Sequence, residues 1–158
     1  MAARVAEGPR VRVAALMIHD GKVVLVRHRA GSATYHLLPG GGVDYRETVE
    51  DALSREVLEE TGLEARLVRP LFINDTIDPS GSRHVVNLTF LAEITGGRIT
   101  DRPADRRVEA VELVALEQLA DLDLRPPLAP YLLEAFSEGL ESATTRYLGS
   151  IFSAARES

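Results

Sequence analysis

The 158-residue chain contains no cysteine. That excludes disulfides, thiolate chemistry and any cysteine-ligated zinc site. Long apolar runs are missing too: nothing in the sequence approaches the roughly 20 consecutive apolar residues of a membrane span. The opening stretch, MAARVAEGPRVRV, has arginines but returns to polar residues before any apolar run develops. The expectation is a soluble, cytoplasmic protein with no membrane partner. An excess of positive charge is also lacking. A formal net charge of -6 argues against non-specific grip on a nucleic acid polymer. If the ligand is a phosphate compound, local arginines or a metal ion must neutralise it. What is present is the ordinary mix of a folded protein, 45% hydrophobic and 27% charged, in a length that suits one domain. The expected domain is 1–158, with a core over about 10–140 and a tail over 141–158.

Two β-branched, apolar runs flank Asp20-Gly21, a dipeptide suited to a tight hairpin turn. They predict antiparallel strands at 11–18 and 23–29. Pro39 ends a short strand, and Gly40, Gly41 and Gly42 free the backbone for conformations other residues avoid. From Glu47 to Thr61 there is neither glycine nor proline, and Gly62 stands where a C-cap glycine belongs. This predicts a helix. Further strands are expected at 64–75, bulged or broken near Pro70, at 83–94, and from Val108. A short helix is expected near 117–122 and a longer one after Pro126-Pro127, stopping at Gly139. The tail from Leu140 reads as weakly helical. Strands dominate, with one long helix inserted, so the fold class is α+β.

The predicted helix carries an anomaly. At 100° per residue, with Glu56 at 0°, Val49 lies at about 20°, Leu53 at about 60°, Glu60 at about 40° and Glu59 at about 300°. The acids therefore continue the apolar stripe instead of facing away from it. Burying ionised carboxylates without partners is costly, and crowding them adds repulsion. Arg55 neutralises one of them. The rest suit an oxygen-ligated divalent cation, magnesium or manganese, of the kind that bridges to substrate phosphates. Carboxylates at a helix C-terminus also oppose the helix dipole.

The stretch resembles the Nudix box of MutT-like hydrolases. Gly41, Glu47, Arg55, Glu56, Val57, Glu59, Glu60, Gly62 and Leu63 occupy its fixed positions with the right gaps. The resemblance implies an α/β/α sandwich around a mixed β-sheet, with the box forming a loop, a helix and a second loop. It also implies hydrolysis of a nucleoside diphosphate linked to another moiety, by attack of water on phosphorus. Under it, Glu56, Glu59 and Glu60 bind the divalent ions, with the carbonyl of Gly40 as a further donor. Arg55 holds a glutamate in place, Gly41, Gly42 and Gly62 support the loop, and Glu47 supports the loop or a metal through water. The general base in such proteins is either a box glutamate or a downstream acid, for which Glu109 is preferred over Glu112.

Residues outside the box choose the substrate. Pro79 lies sixteen positions after Leu63, a spacing that resembles ADP-ribose pyrophosphatases. The tyrosine of diadenosine polyphosphate hydrolases and a coenzyme A signature are both missing. Arg27, Arg29, Arg46 and Arg83 are candidates for the substrate's phosphate or ribose, and Tyr35 for stacking on its base. His28, His36 and His84 lack metal-ligand spacing and read as structural. The leading expectation is a magnesium-dependent enzyme acting on ADP-ribose or another nucleotide sugar. A nucleoside triphosphate pyrophosphatase and a non-catalytic nucleotide sensor are the alternatives, and a homodimer is expected by analogy.

Overall fold

Alternation within the first strand sets the layers. In β1 (Arg10–Leu16), Val13 and Ala15 join one apolar cluster, Ala14 and Leu16 join another, and all four are buried. A strand buried on both faces lies inside a stack of layers. The computed structural model describes residues 8–152. After β1 come β2 (Ile18–His19), β3 (Lys22–Ala30), β4 (Ala33–Leu37), β5 (Gly40–Gly42), α1 (Val49–Thr61), β6 (Leu63–Ile77) and β7 (His84–Gly97). Then follow β8 (Val108–Val114), a 3-10 helix (Leu116–Asp121), α2 (Ala129–Glu138) and β9 (Arg146–Ser150).

The strands form two sheets. One runs β5-β1-β7-β6-β9, with β1 parallel to β7, β6 parallel to β9 and the remaining pairs antiparallel. In the other, β3 is central, with β8 along one edge and β2 and β4 along the opposite one. On one side of these sheets, Ala52, Leu53 and Val57 of α1 pack on Val13, Ala15, Met17, Val24, Leu63 and Ala65. On the other, Leu119 of the 3-10 helix and Leu132 and Ala135 of α2 cover Ala14, Leu16, Val23, Leu25, Leu71 and Phe72. This is an α/β/α sandwich of class α+β, the architecture that the resemblance implies.

The hairpin expected from the first two apolar runs is corrected. Asp20 and Gly21 do take positive φ, 50° and 72°, but the pairing is only Ile18 with Val23 and His19 with Lys22. Beyond the bond from Val24 N–H to the Met17 carbonyl (3.1 Å) the strands part. Both edges of β1 are taken by β5 and β7, so β1 has none left for β3. α1 begins at Val49, with Thr48 Oγ1 accepting from Asp51 N–H at 3.1 Å, so Glu47 stands before the helix. It ends at Gly62, whose φ of 79° returns its N–H to the Leu58 carbonyl. β6 shifts register between Leu67 and Arg69 and between Pro70 and Phe72, where proline removes a ladder donor. The helical tail is also corrected. Residues 146–150 form β9 on the outer edge of β6, Thr145 Oγ1 donates to the Pro70 carbonyl at 2.8 Å, and Ala143 joins the core. An edge strand offers a row of unpaired backbone groups, and local helix propensity in the tail is too weak to compete with it. The part of the tail over 153–158 lies outside the described residues.

Candidate active site

The box glycines precede the helix as strand, and this corrects the expectation of unusual backbone. Gly40, Gly41 and Gly42 pair antiparallel with Ala14, Val13 and Arg12, and none has a positive φ. Their use is space. A Cβ on Gly40 would lie 2.0 Å from the Val13 carbonyl oxygen, and one on Gly41 would lie 2.2 Å from Cδ of Glu56. The loop strand and the carboxylate end of α1 are pressed together at Gly41, where no side chain fits between them.

Arg55 is the hub of that contact. Its Nε and Nη2 donate to the two oxygens of Glu47 at 2.9 and 2.8 Å, a bidentate pair, and Nη2 also donates to the Gly42 carbonyl at 3.1 Å. Its Nη1 donates to Glu56 at 2.8 Å and to Glu59 at 3.5 Å, and Asp44 lies 3.6 Å from Nη2. One cation thus serves four carboxylates. The hydrogen bond to Glu47 above all, with Glu56 adding, holds the guanidinium well above its ordinary pKa. The same bond holds Glu47 below the usual carboxylate value. Glu56 goes the other way: burial raises it, Arg55 pulls against that, and the charges of Glu59 and Glu60 raise it further.

Glu60 is 2% exposed. Its Oε1 accepts the Gly40 N–H at 2.8 Å, and its Oε2 lies 3.8 Å from Nε2 of His28 on β3. The segment between β7 and β8 closes the helix end, with N–H groups of Arg98, Thr100 and Ala104 donating to the carbonyls of Gly62, Thr61 and Glu59. It carries Arg107, which donates to Asp105 at 2.7 Å and whose side chain is 75% exposed. That bond chiefly raises the Arg107 pKa, and the charges of Glu60 and Glu56 contribute. On the other side Arg12 of β1 donates to the Leu38 carbonyl at 3.0 Å; burial lowers its pKa and Glu60 opposes the shift.

Three carboxylates at one helix end, with Arg55 as the one guanidinium in ion-pair contact with them among the described residues, are a hard-oxygen donor set that suits a divalent cation. In the geometry described they do not converge: among the described residues no three His, Asp or Glu side chains stand close enough to share an ion. Glu56 is turned to Arg55 and Glu60 to Gly40.

The other residues expected from the sequence lie elsewhere. Glu109 accepts from Arg27 Nε at 3.0 Å and from Arg29 Nη2 at 2.7 Å. Glu112 pairs with Arg27 and, at 2.7 Å, with His36 Nε2. On β3 these arginines alternate with His28, so they project from the face opposite the one that meets Glu60. Arg29 first, then Arg27, lowers the Glu109 pKa. Glu109 is therefore not brought to the box glutamates. Arg46 has a φ of 67° in the exposed turn before Glu47, and Arg83 is exposed at the entry to β7. Tyr35 is the cross-strand neighbour of His28, and the Arg125 guanidinium lies 4.2 Å from its ring centroid. The sequence reading missed Arg12, Asp44, Asp105, Arg107 and the approach of His28. Period-two alternation from buried Val24 was the signal for His28; nothing local marked the loop residues.

The NUDIX domain profile matches residues 8–135. An ADP-ribose pyrophosphatase of Methanocaldococcus jannaschii is 31% identical over 113 residues, 71% of this chain and 67% of the relative. Phosphatase NudJ of Escherichia coli is 26% identical over 133 residues, 83% of this chain and 85% of the relative. A solved NUDIX hydrolase from Nitrosomonas europaea superposes with a TM-score of 0.73 at 26% identity, covering 89% of this chain and 93% of that one. The glycine-strand contact with Glu56 and the Arg55 hub thus belong to a matched domain, and the chain is a member of the Nudix family, an enzyme of the pyrophosphohydrolase class.

Proposed function

We propose that the protein hydrolyses the pyrophosphate bond of a nucleoside diphosphate linked to another moiety, ADP-ribose or a related nucleotide sugar, with magnesium as its metal and manganese as a substitute. The observation that carries this reading is the imbalance at the end of α1, where Arg55 is shared among Glu47, Glu56, Glu59 and Asp44, while buried Glu60 has no arginine or lysine within ion-pair distance among the described residues. Glu56, Glu59 and Glu60 would hold the metal, which when bound offsets charge on the phosphates and lowers the pKa of the attacking water. Arg55 keeps Glu47 and Glu56 in place, and the Gly40 N–H fixes one oxygen of Glu60.

We assign the proton-accepting role to a box glutamate. Glu109 is held ionised by two arginines on the opposite face of β3, which supports leaving it out. Arg107, exposed and among the described residues paired only with Asp105 on the segment that closes the helix end, is a nearer candidate for the substrate phosphates than Arg27 or Arg29, which Glu109 and Glu112 hold on the opposite face of β3. The choice of ADP-ribose is supported by the archaeal relative's name and by Pro79. The reading includes a cytoplasmic location, consistent with a cysteine-free chain. Among the described residues no helix is long and apolar enough to cross a membrane. It also includes a homodimer, checked by sedimentation across a concentration series; a monomer throughout removes that part.

The test is product release from a panel of ADP-ribose, other nucleotide sugars, diadenosine polyphosphates and nucleoside triphosphates, for wild type and Glu60→Gln, with and without magnesium. Metal-dependent turnover of nucleotide sugars that collapses in the variant is expected. Preferred turnover of triphosphates replaces the substrate, and nucleotide binding without turnover makes the protein a sensor.

A further inference from the structure

His28 has a polar atom without a partner. The residue is 9% exposed, and its Nε2 is buried with no hydrogen-bond partner among the described residues, although most buried polar side-chain atoms have one. A carboxylate faces it: Oε2 of Glu60 is 3.8 Å away, beyond hydrogen-bond reach, and that residue is itself buried. The other ring nitrogen is engaged: Nδ1 lies 3.5 Å from the Tyr35 hydroxyl, and the two rings meet edge to face with centroids 5.5 Å apart. With the Tyr35 hydroxyl as donor to Nδ1, the proton of a neutral imidazole stands on Nε2, and the free group is an N–H 3.8 Å from a carboxylate oxygen.

Glu60 is thus bracketed by donors from two strands. Gly40 of β5 holds Oε1, and His28 of β3 faces Oε2. Resting on the proposed metal role of Glu60, we propose that His28 is a positioning residue: its Nε2–H orients the Glu60 oxygen that Gly40 does not hold, and Tyr35 sets the tautomer that makes this donation available. Outer partners of metal ligands fix ligand orientation in this way, and losing one weakens metal binding about 10–100-fold.

The experiment is a calorimetric titration with Mn2+ alone, without substrate, on wild type, Glu60→Gln, His28→Leu, His28→Gln and Tyr35→Phe, each with a thermal melt. Expected is a loss of about 10–100-fold in Mn2+ affinity for His28→Leu, recovered for the most part in His28→Gln, whose amide restores a donor. Tyr35→Phe, which removes only a hydroxyl, is expected to weaken Mn2+ less than His28→Leu does. The inference is overturned if His28→Leu binds Mn2+ as wild type does, or if His28→Gln loses as much as His28→Leu. Should His28→Leu fail to fold, His28→Asn, with its shorter reach, takes its place: weakened Mn2+ binding in His28→Asn with binding kept in His28→Gln supports the role, and an unchanged His28→Asn overturns it. Wild type that binds no Mn2+ removes the metal reading itself. Binding lost in Glu60→Gln but intact in His28→Leu removes only the role of His28.

Discussion

Two acid-rich regions of the molecule differ in how their charge is balanced. On the β3–β8 face, Glu109 and Glu112 meet Arg27, Arg29 and His36, so two carboxylates have two permanent cations and a histidine. At the end of α1, Arg55 is divided among Glu47, Glu56, Glu59 and Asp44, and Glu60 beside it is buried. The consequence appears in the titration of single groups: Glu109 is held below its ordinary value by its arginines, whereas Glu56 is pushed above it by burial and by Glu59 and Glu60. A charge-balanced network needs nothing more than the fold supplies. An unbalanced one, kept in the core side of a helix, identifies a place where a cation from outside completes the structure.

The largest expected effect breaks the comparison at Glu60. Glu60→Gln should lower kcat/KM by about 10²–10⁴-fold, the range for losing a group that acts on the reacting atoms, while leaving the fold intact by circular dichroism. Activity within a few-fold of wild type would remove Glu60 from the chemistry. Next is Arg55→Ala, which leaves Glu47 and Glu56 facing each other without their cation. Because Arg55 is a third exposed, its loss falls between a surface and a buried ion pair, about 2 kcal/mol, or about 4–8 °C in a chain of this size. A melt unchanged from wild type would show that the hub carries little stability.

The two regions should then differ in sign with pH. Glu56 has a raised pKa in the fold, so the stability of its protonated form is lost as pH rises past 4.5 through the folded value. Without metal, Glu56→Gln is therefore expected to melt above wild type at pH 7, with the gap closing toward pH 4. Glu109 has a lowered pKa, so its ionised form stabilises above 4.5 and that contribution is lost as pH falls. Glu109→Gln is expected to melt slightly below wild type at pH 7, solvent screening keeping the difference small, again with the gap closing in acid. Gaps of the same sign would end the distinction. Smallest of all, Glu109→Gln should leave kcat within about threefold, far short of the range for a lost general base; a loss of 100-fold or more would return Glu109 to the mechanism.

Much of this was legible before the fold was known, and for local reasons. Gly62 ends α1 through short-range capping, and Glu56 and Glu60 betray themselves by lying on the same stripe as Val49 and Leu53. What was not legible depends on pairing between distant segments. Nothing near Val11 says that its strand will run beside Val86 instead of across the turn from β3, and nothing in RYLGS says that β6 will have a free edge to receive it. The glycine triplet was read as backbone freedom because the carboxylate that excludes a Cβ at Gly41 arrives from fifteen residues later in the chain. Arg107 and Asp105 come to the site on a loop whose only signal is how its N–H groups meet the end of α1. Glu109 was drawn toward catalysis by its place in the sequence, and drawn away by the alternation that puts Arg27 and Arg29 on the far face of β3.

The most direct test of a helix end completed by a cation is a thermal melt of wild type and Glu60→Gln with and without magnesium, in the absence of substrate. A cation that binds the folded state alone at 100 times its dissociation constant adds about 2.7 kcal/mol, so the wild-type midpoint should climb by about 5–11 °C while Glu60→Gln stays nearly flat. A wild-type midpoint indifferent to magnesium, or an equal rise in both proteins, would contradict the claim that these carboxylates await a metal.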